Sequence, residues 1–371
     1  MIINIAQILF LLLFIIHLVL LIITIYNYYT APQISQQPYS VDNNPKISIL
    51  IPARNEEENI ENCLNSIYLS EYNNYEVKVL DDLSTDSTTD KVKPFQTKYK
   101  NFELIKGKEL PKGWIGKNWA CNQLAEHALG DYLLFIDADV IISPKAIQNV
   151  MFEFRKNKAA MLSVFPSQIM KSWGEWMIVP LMEWLLLTFL PLKKVFTSSN
   201  VSFAAANGQF ILFDKESYFK FGGHSKIKSK IVEDMEFVRG FKKMKLKTFI
   251  ILGNNFVKCR MYRNYNESLN GFSKNFYPGF NIGSFKFILL ITGFMFSFIM
   301  PLLFIYFNHL FLYIVFMILL ERIATSSLSR QSIYKNIILF IPQMVTIVIA
   351  GIISLTDNLN GKVLWKGRNI E

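Results

Sequence analysis

Asp137-Ala138-Asp139 is the sharpest chemical feature of this sequence. It directly follows the apolar run at 132–136, "YLLFI", which reads as a buried strand. Two carboxylates spaced i and i+2 behind such a strand sit at a sheet's carboxyl edge, where open α/β sheets place their ligands. Hard cations such as Mg²⁺ and Mn²⁺ take one or two carboxylates from the protein and complete their shell with substrate phosphates. Asp137 and Asp139 are therefore candidate metal ligands facing a nucleotide diphosphate. A lone D-x-D string is more often a solvated turn. Its place after a buried strand, and its companions, lift it above that.

The first companion runs from Ile49 to Glu57, where a strand ends at Pro52 and acids open a helix. Capping and helix-dipole complementation explain Glu56, Glu57 and Glu58, but not the whole "ILIPARNEE" string. The second runs from Val79 to Thr88: a strand ends in Asp81 and Asp82, and a hydroxyl-rich turn follows. Ser84 or Asp86 suits an N-cap. Asp81 and Asp82 could accept hydrogen bonds from a base N–H and ribose hydroxyls. The third is "GWIGKNWA", 113–120, where glycines precede a helix and Lys117 falls in its first turn. A cation there opposes the helix dipole, and a bound phosphate would relieve it. A plain surface lysine is the alternative. Glu233-Asp234, taken alone, reads as acids at a helix start.

These strings need elements to position them. Short apolar runs at 46–51, 75–80, 102–105 and 132–136 alternate with helix-like stretches near 56–68, 87–98 and 117–128, which predicts βαβ units around a parallel sheet. The strands are apolar on both faces, as a sheet covered on both sides requires. Around this region lies a different composition. Residues 2–25 are almost wholly apolar and long enough to span a bilayer as a helix. A cleaved signal peptide fits less well, because no basic leading region or small-residue cleavage pattern accompanies it. Residues 30–45, with Pro32, Pro38 and Pro45, read as a linker. Residues 173–192 are apolar but hold Glu175, Glu183 and two prolines, which suits a helix lying in the membrane interface. Residues 285–355 supply two or three further spans, and 356–371 form a basic tail. The linker 321–336 (Arg322, Arg330, Lys335) and the tail (Lys362, Lys366, Arg368) are both basic. The positive-inside rule cannot favour both if one span separates them.

Composition agrees. Of 371 residues, 51% are hydrophobic and only 18% charged, below the quarter usual for soluble domains. The net charge of +10 suits a domain held against an anionic membrane face. No nucleic-acid-binding signature accompanies the scattered basic residues, so no nucleic-acid partner is expected. Cys63, Cys121 and Cys259 are too far apart and too few for a disulfide framework or a zinc cluster.

In the order "IPARNEEENI", "LDDLSTDSTTD", "GWIGKNWACNQ", "DAD", "IVEDMEF", the chain resembles family 2 glycosyltransferases of the GT-A fold. Within them it is most similar to membrane-bound enzymes that glycosylate carotenoids (diaponeurosporenoate) or hopanoid-type isoprenoid lipids. The closing "WKGR", 365–368, adds to that likeness. The resemblance covers about 46–280 and this tail. It implies a Rossmann-like mixed sheet in a catalytic domain at 46–280. It also implies a nucleotide pocket lined by Pro52, Asn55, Glu56, Asp81 and Asp82, with Lys117 near the base or diphosphate. Asp139 would be the main metal contact, Asp137 would support the sugar or metal, and Asp234, beside Glu233, would be the general base. Polysaccharide synthases of the family carry a Q-x-x-R-W string after this acidic pair. Here the region reads "RMYR" and "LNGFSKN", which argues against processive synthesis and leaves Arg263 and Lys274 as candidate diphosphate contacts. His224 is a candidate acceptor contact or a loop histidine. The expected reaction is inverting transfer from a nucleotide-sugar, UDP-linked, to an isoprenoid lipid at the cytoplasmic face of the cell membrane, in a multi-pass protein. A polyprenyl-phosphate or glycerolipid acceptor is the enzymatic rival, and an inactive membrane scaffold the non-enzymatic one.

Overall fold

The computed structural model describes residues 5–34, 44–361, 364–365 and 368–369. Residues 2–4 of the expected N-terminal span, 35–43 of the expected linker, and 362–363, 366–367 and 370–371 of the expected tail lie outside them.

Successive side chains of a strand point to opposite faces, and the first strand, β1 (Ile47–Ala53), uses both. Ile47, Ile49 and Ile51 enter a core with Cys63, Leu64 and Ile67 of α2 (Ile60–Tyr68). Leu50 enters a second core with Ala120, Cys121 and Leu124 of α4 (Gly116–His127). The strands β2 (Tyr75–Asp81), β3 (Phe102–Lys106), β4 (Tyr132–Ile136), β6 (Met161–Phe165), β8 (Phe210–Asp214) and β9 (Thr248–Leu252) complete a seven-stranded sheet in the order β3-β2-β1-β4-β8-β6-β9. β8 runs antiparallel to both β4 and β6, and the other pairs are parallel. A small sheet of β5 (Val140–Ile142), β7 (Ser167–Gln168) and β10 (Val257–Cys259) closes over the residues that follow β4. Between strands run α3 (Thr88–Lys98) and α5 (Ala146–Lys156), a short turn α7 (Lys193–Thr197), then α8 (Lys215–Phe221) and α9 (Glu233–Lys243).

The chain divides into two compact units. The sheet unit takes residues 32–169, 195–261 and 361–371, and the helical unit takes 1–31, 170–194 and 262–360. Residues 170–194 and 262–280 of the expected catalytic stretch thus belong with the helices.

The helical unit contains α1 (Ile5–Thr30), α6 (Trp173–Phe189), α10 (Tyr265–Phe280), α11 (Ser284–Phe304), α12 (Phe311–Leu328), α13 (Ile333–Ile338) and α14 (Phe340–Leu359). Four of its helices are long and apolar enough to cross a membrane: Ala6–Thr30, Ser284–Phe304, Phe311–Leu328 and Phe340–Leu359. The first continues past the apolar run because Asn27 is fully satisfied: its amide donates to the Leu187 and Leu190 carbonyls, and its oxygen accepts from Leu192 N–H. Midway along α1, the buried His17 ring meets Glu321 at 3.3 Å and the Ser297 carbonyl at 3.0 Å. α6 is too short to be one of those four. Its Glu175 is the N3 residue of a capping box with Ser172, and Ile178, Leu181 and Trp184 pack into the bundle core.

Candidate active site

The loops after β1 and β2 are laced together. Glu56 N–H donates to Thr88 Oγ1 (2.7 Å) and Glu57 N–H to Asp86 Oδ2 (3.1 Å). Those bonds satisfy N–H groups that the first turn of a helix would leave unpaired, and regular α2 is reached at Ile60, after a turn closed by Asn59 N–H on the Glu56 carbonyl. Asn55, in the left-handed region at φ +52°, accepts Thr85 N–H on its side-chain oxygen (2.8 Å). Leu83 has φ +55°, a conformation that costs a side-chain-bearing residue roughly 1–2 kcal/mol. It is held there by Arg54, whose guanidinium donates to the Asp82 (2.6 Å) and Leu83 (3.1 Å) carbonyls. Asp81 accepts from Ser84 N–H (3.1 Å) and Thr89 Oγ1 (2.9 Å). Pro52 pairs with Leu80 in the sheet, and Asp82 is buried with its N–H on the Ala53 carbonyl. Asn55 and Asp81 thus help tie the two loops into one wall. Ser84, Asp86, Thr88 and Arg54 take part in the same lacing, although sequence suggested only capping for Ser84 and Asp86 and no role for the other two.

The central cluster draws on four distant segments. Lys117, in the first turn of α4, places Nζ 2.9 Å from the Asp137 carboxylate and 3.3 Å from Glu233 Oε1, and donates to the Gly208 carbonyl at 3.4 Å. The dipole conflict expected at Lys117 is therefore relieved by two carboxylates. Desolvation alone would lower its proton affinity, but Asp137 and Glu233 together hold it well above the usual lysine range. Asp137 is fixed by its N–H on the Gln209 carbonyl (2.9 Å). Asp234, next in α9, accepts the N–H of Met235 at 2.7 Å. Burial, then the Glu233 charge, pushes its pKa up to about 7.

Asp139 sits beside Asp137, with Glu56 near enough to act on its charge. Burial, then Asp137 and Glu56, pushes its pKa up to about 7, and its buried Oδ1 has no hydrogen-bond partner. A carboxylate held so is what a bound cation would relieve. Among the described residues no three His, Cys, Asp or Glu side chains converge as a metal cage. Two carboxylates with the remaining positions left to phosphate oxygens is the arrangement that suits Mg²⁺.

Gly208 faces this cluster. A Cβ there would lie 3.1 Å from Glu233 Oε1, 3.3 Å from Lys117 Nζ and 3.8 Å from Asp234 Oδ2. Sequence reading missed it, and its one signal was a glycine two residues before a buried strand. Gly208→Ala should displace the Lys117–Glu233 pair and lower kcat about tenfold, equivalent to roughly 1.4 kcal/mol, with an unchanged melting temperature. Steady-state rates and a thermal melt check this.

His224 is not open to an acceptor. It is buried, its Nδ1 is 2.7 Å from Tyr218 Oη, and its ring packs on Phe135 and Phe237. Desolvation, helped by Lys117, lowers its pKa to about 3, so the ring stays neutral. It borders a cavity of about 10 Å³ shared with Lys117, Asp137, Gly208 and Glu233, room for about one water. Arg263 and Lys274 belong to the helical unit. The Arg263 backbone joins the cap of α10, donating to Glu267 (2.9 Å) and accepting from Ser172 Oγ (3.1 Å), and Lys274 lies within α10.

The "Glycosyl transferase family 2" model matches residues 48–219, which include Lys117, Asp137, Asp139 and Gly208. The chain carries a family 2 glycosyltransferase domain. Glu233 and Asp234 follow just beyond the matched stretch of this glycosyltransferase domain. The chain is 30% identical over 244 residues to the 4,4'-diaponeurosporenoate glycosyltransferase of Staphylococcus aureus (strain USA300), covering 64% of this chain and 62% of that protein. It is 26% identical over 242 residues to the enzyme of that name from Staphylococcus haemolyticus, covering 63% and 61%. The match thus spans about three fifths of these relatives' length. In fold, the chain is similar to the mannosyltransferase PcManGT of Pyrobaculum calidifontis, solved in complex with GDP-Man and Mn²⁺. The TM-score is 0.56 at 16% identity, over 94% of this chain and 97% of that one. The seven-stranded sheet is the mixed α/β sheet of GT-A glycosyltransferases, as the resemblance implies, whereas the βαβ pattern alone predicted a parallel sheet and missed the antiparallel β8.

Proposed function

We propose that the protein is a membrane-associated glycosyltransferase that moves a sugar, with inversion, from a UDP-sugar to an isoprenoid lipid of carotenoid type at the cytoplasmic face. The observation that carries this reading is the meeting of Lys117, Asp137, Gly208 and the Glu233–Asp234 pair, from four separate stretches of chain, beyond the carboxyl end of β4. The wall formed by Asn55, Glu56, Asp81 and Asp82 takes the nucleotide.

Asp137 and Asp139 would hold a divalent cation, Mg²⁺ or Mn²⁺, which when bound offsets the charge of the diphosphate leaving group. Asp234 accepts the acceptor hydroxyl's proton as that oxygen attacks the anomeric carbon; a proton affinity near neutrality suits a base working at cellular pH. Where the acceptor is already a carboxylate no proton need be removed, and a protonated Asp234 orients it by donating a hydrogen bond. Lys117 fixes Glu233 and so the first turn of α9. One base and a leaving group on the opposite side give direct displacement, hence inversion. The carotenoid-type acceptor rests on the relatives' names and the four apolar helices.

The test is a membrane-extract assay with UDP-hexoses and carotenoid acids or alcohols. Transfer should stop with EDTA, return with excess Mn²⁺ or Mg²⁺, and give a product of inverted anomeric configuration. A retained configuration overturns the mechanism. Glycosylated polyprenyl phosphates or glycerolipids, in place of carotenoids, would move the acceptor to those classes. No turnover of any donor, unchanged by Asp139→Ala, would favour a scaffold.

A further inference from the structure

Consecutive helices that cross a bilayer must alternate in direction. Within the helical unit, residue pairs fix the direction of each long helix. Phe304 at the end of α11 stacks near Phe311 at the start of α12, with centroids 5.4 Å apart, and Phe10 of α1 lies 5.5 Å from Phe311. His17 then joins Ser297 of α11 and Glu321 of α12 in one layer. So α1 and α12 run the same way and α11 runs against them, as three crossings require.

α14 breaks the alternation. Its first residue, Phe340, lies 6.3 Å from Phe298, in the His17 layer. A Cβ on Gly351 would touch Ile291, and Ser354 Oγ accepts from Tyr277 N–H, whose side chain reaches Ser284 at the start of α11. α14 therefore runs against α11 and in the same direction as α12. Phe298 is fourteen residues past Ser284, about 21 Å along the axis. α14 thus begins deep in the bundle and ends where α11 begins. Leu328, the last residue of α12, lies seven residues beyond Glu321, about 10 Å above that layer. The connection 329–339 must descend again before α14 rises.

Non-helical backbone at membrane depth is tolerated only where protein satisfies its polar groups, and here protein does so. Arg322 donates to the Asn336 carbonyl (3.2 Å) and to the Gln343 side chain. Asn336 donates to Ser326 Oγ and Gln331 Oε1, both at 2.9 Å, and Gln343 to the Trp176 carbonyl at 2.8 Å. Gln331 also donates to Glu183. The guanidinium of Arg322 is enclosed between the rings of Trp184 and Phe340.

We infer that residues 329–339 turn back inside the bilayer, that α14 makes no fourth crossing, and that the start of α1 and the end of α14 lie on opposite membrane faces. The segment after α14 emerges on the face where α1 ends and the chain passes into the sheet unit. The conflict between the two basic stretches then disappears. Arg322 is an internal strut, Arg330 and Lys335 belong to the turn-back, and no complete span separates them from the end of α14. The positive-inside rule makes the face where α14 ends cytoplasmic.

Two cysteine variants of the full-length protein decide the matter. His309→Cys, in the exposed α11–α12 turn, and Asn360→Cys, exposed after α14, are treated in intact cells with a membrane-impermeant maleimide. The native Cys63, Cys121 and Cys259 are buried, so background is low. Cysteine 309 should label in intact cells, and cysteine 360 only after permeabilisation. Labelling of both in intact cells, or of neither before permeabilisation, means α14 crosses, and the inference fails. Protease protection of a C-terminal epitope tag reads the same question without relying on thiol reactivity. The outcome does not depend on which sugar or lipid the protein handles.

Discussion

Asp234→Asn should lower kcat by about 10²–10⁴-fold, the usual contribution of a positioned base, while donor affinity stays within about threefold. The substitution keeps the shape and the hydrogen bond from Met235 N–H but removes the proton acceptor. The pH profile carries further information. Burial and the neighbouring Glu233 raise the Asp234 pKa to about 7, so the working, ionised form is lost as pH falls. In the wild type kcat should fall about tenfold per pH unit below 7 and level off above it, and the residual rate of Asp234→Asn should lack that limb. Rates across pH 5.5–8.5, with UDP binding followed by calorimetry, test both statements. Loss of UDP binding in Asp234→Asn would instead place this residue in the donor pocket.

Asp139→Asn should cost on the order of 10³ in kcat/KM, several kcal/mol of charge stabilisation at the leaving group. It should also stabilise the fold in metal-free buffer. The native environment raises the Asp139 pKa from 3.8 to about 7 through burial, Asp137 and Glu56. Ionising it in the folded state is thus unfavourable relative to the unfolded chain. The sign follows: native stability falls as pH rises from about 4 to about 7, and the full penalty persists above that. The gain in Tm from Asp139→Asn should be largest at pH 8 and shrink as pH falls toward 4. Saturating Mn²⁺ should narrow it by stabilising the wild type. Melting curves with EDTA and with Mn²⁺ at several pH values test this, and a lower Tm for the variant at pH 8 would sink it.

Local pattern made much of the fold legible. The strand at 132–136 is found as the alternation of apolar runs and turn residues predicts, because a strand buried on both faces admits little else. The placement of Asp137 and Asp139 followed from that strand alone. What the sequence concealed was contact between distant segments. Nothing local to Lys117 says that Asp137 and Glu233 surround it. His224 looked like a loop residue because its glycine neighbours dominate the string, whereas Tyr218 and two phenylalanines bury it. Glu56 and Glu57 resembled the start of a helix, but nothing local says that Thr88 and Asp86, from another loop, accept their N–H groups. The direction of α14 could not be read from its composition, since apolar length is the same whichever way a helix runs.

The layer formed by His17, Ser297 and Glu321 makes the N-terminal helix more than a tether. Its one buried imidazole is the only side chain hydrogen-bonded to the Glu321 carboxylate among the described residues. Trimming the chain to begin after residue 31 for soluble expression, or swapping in a generic hydrophobic leader, would strand that acid in an apolar bundle at a cost of roughly 3–5 kcal/mol. The leader is a keyed part whose partners lie some three hundred residues downstream, so chimaeras between relatives must exchange the first and last segments together.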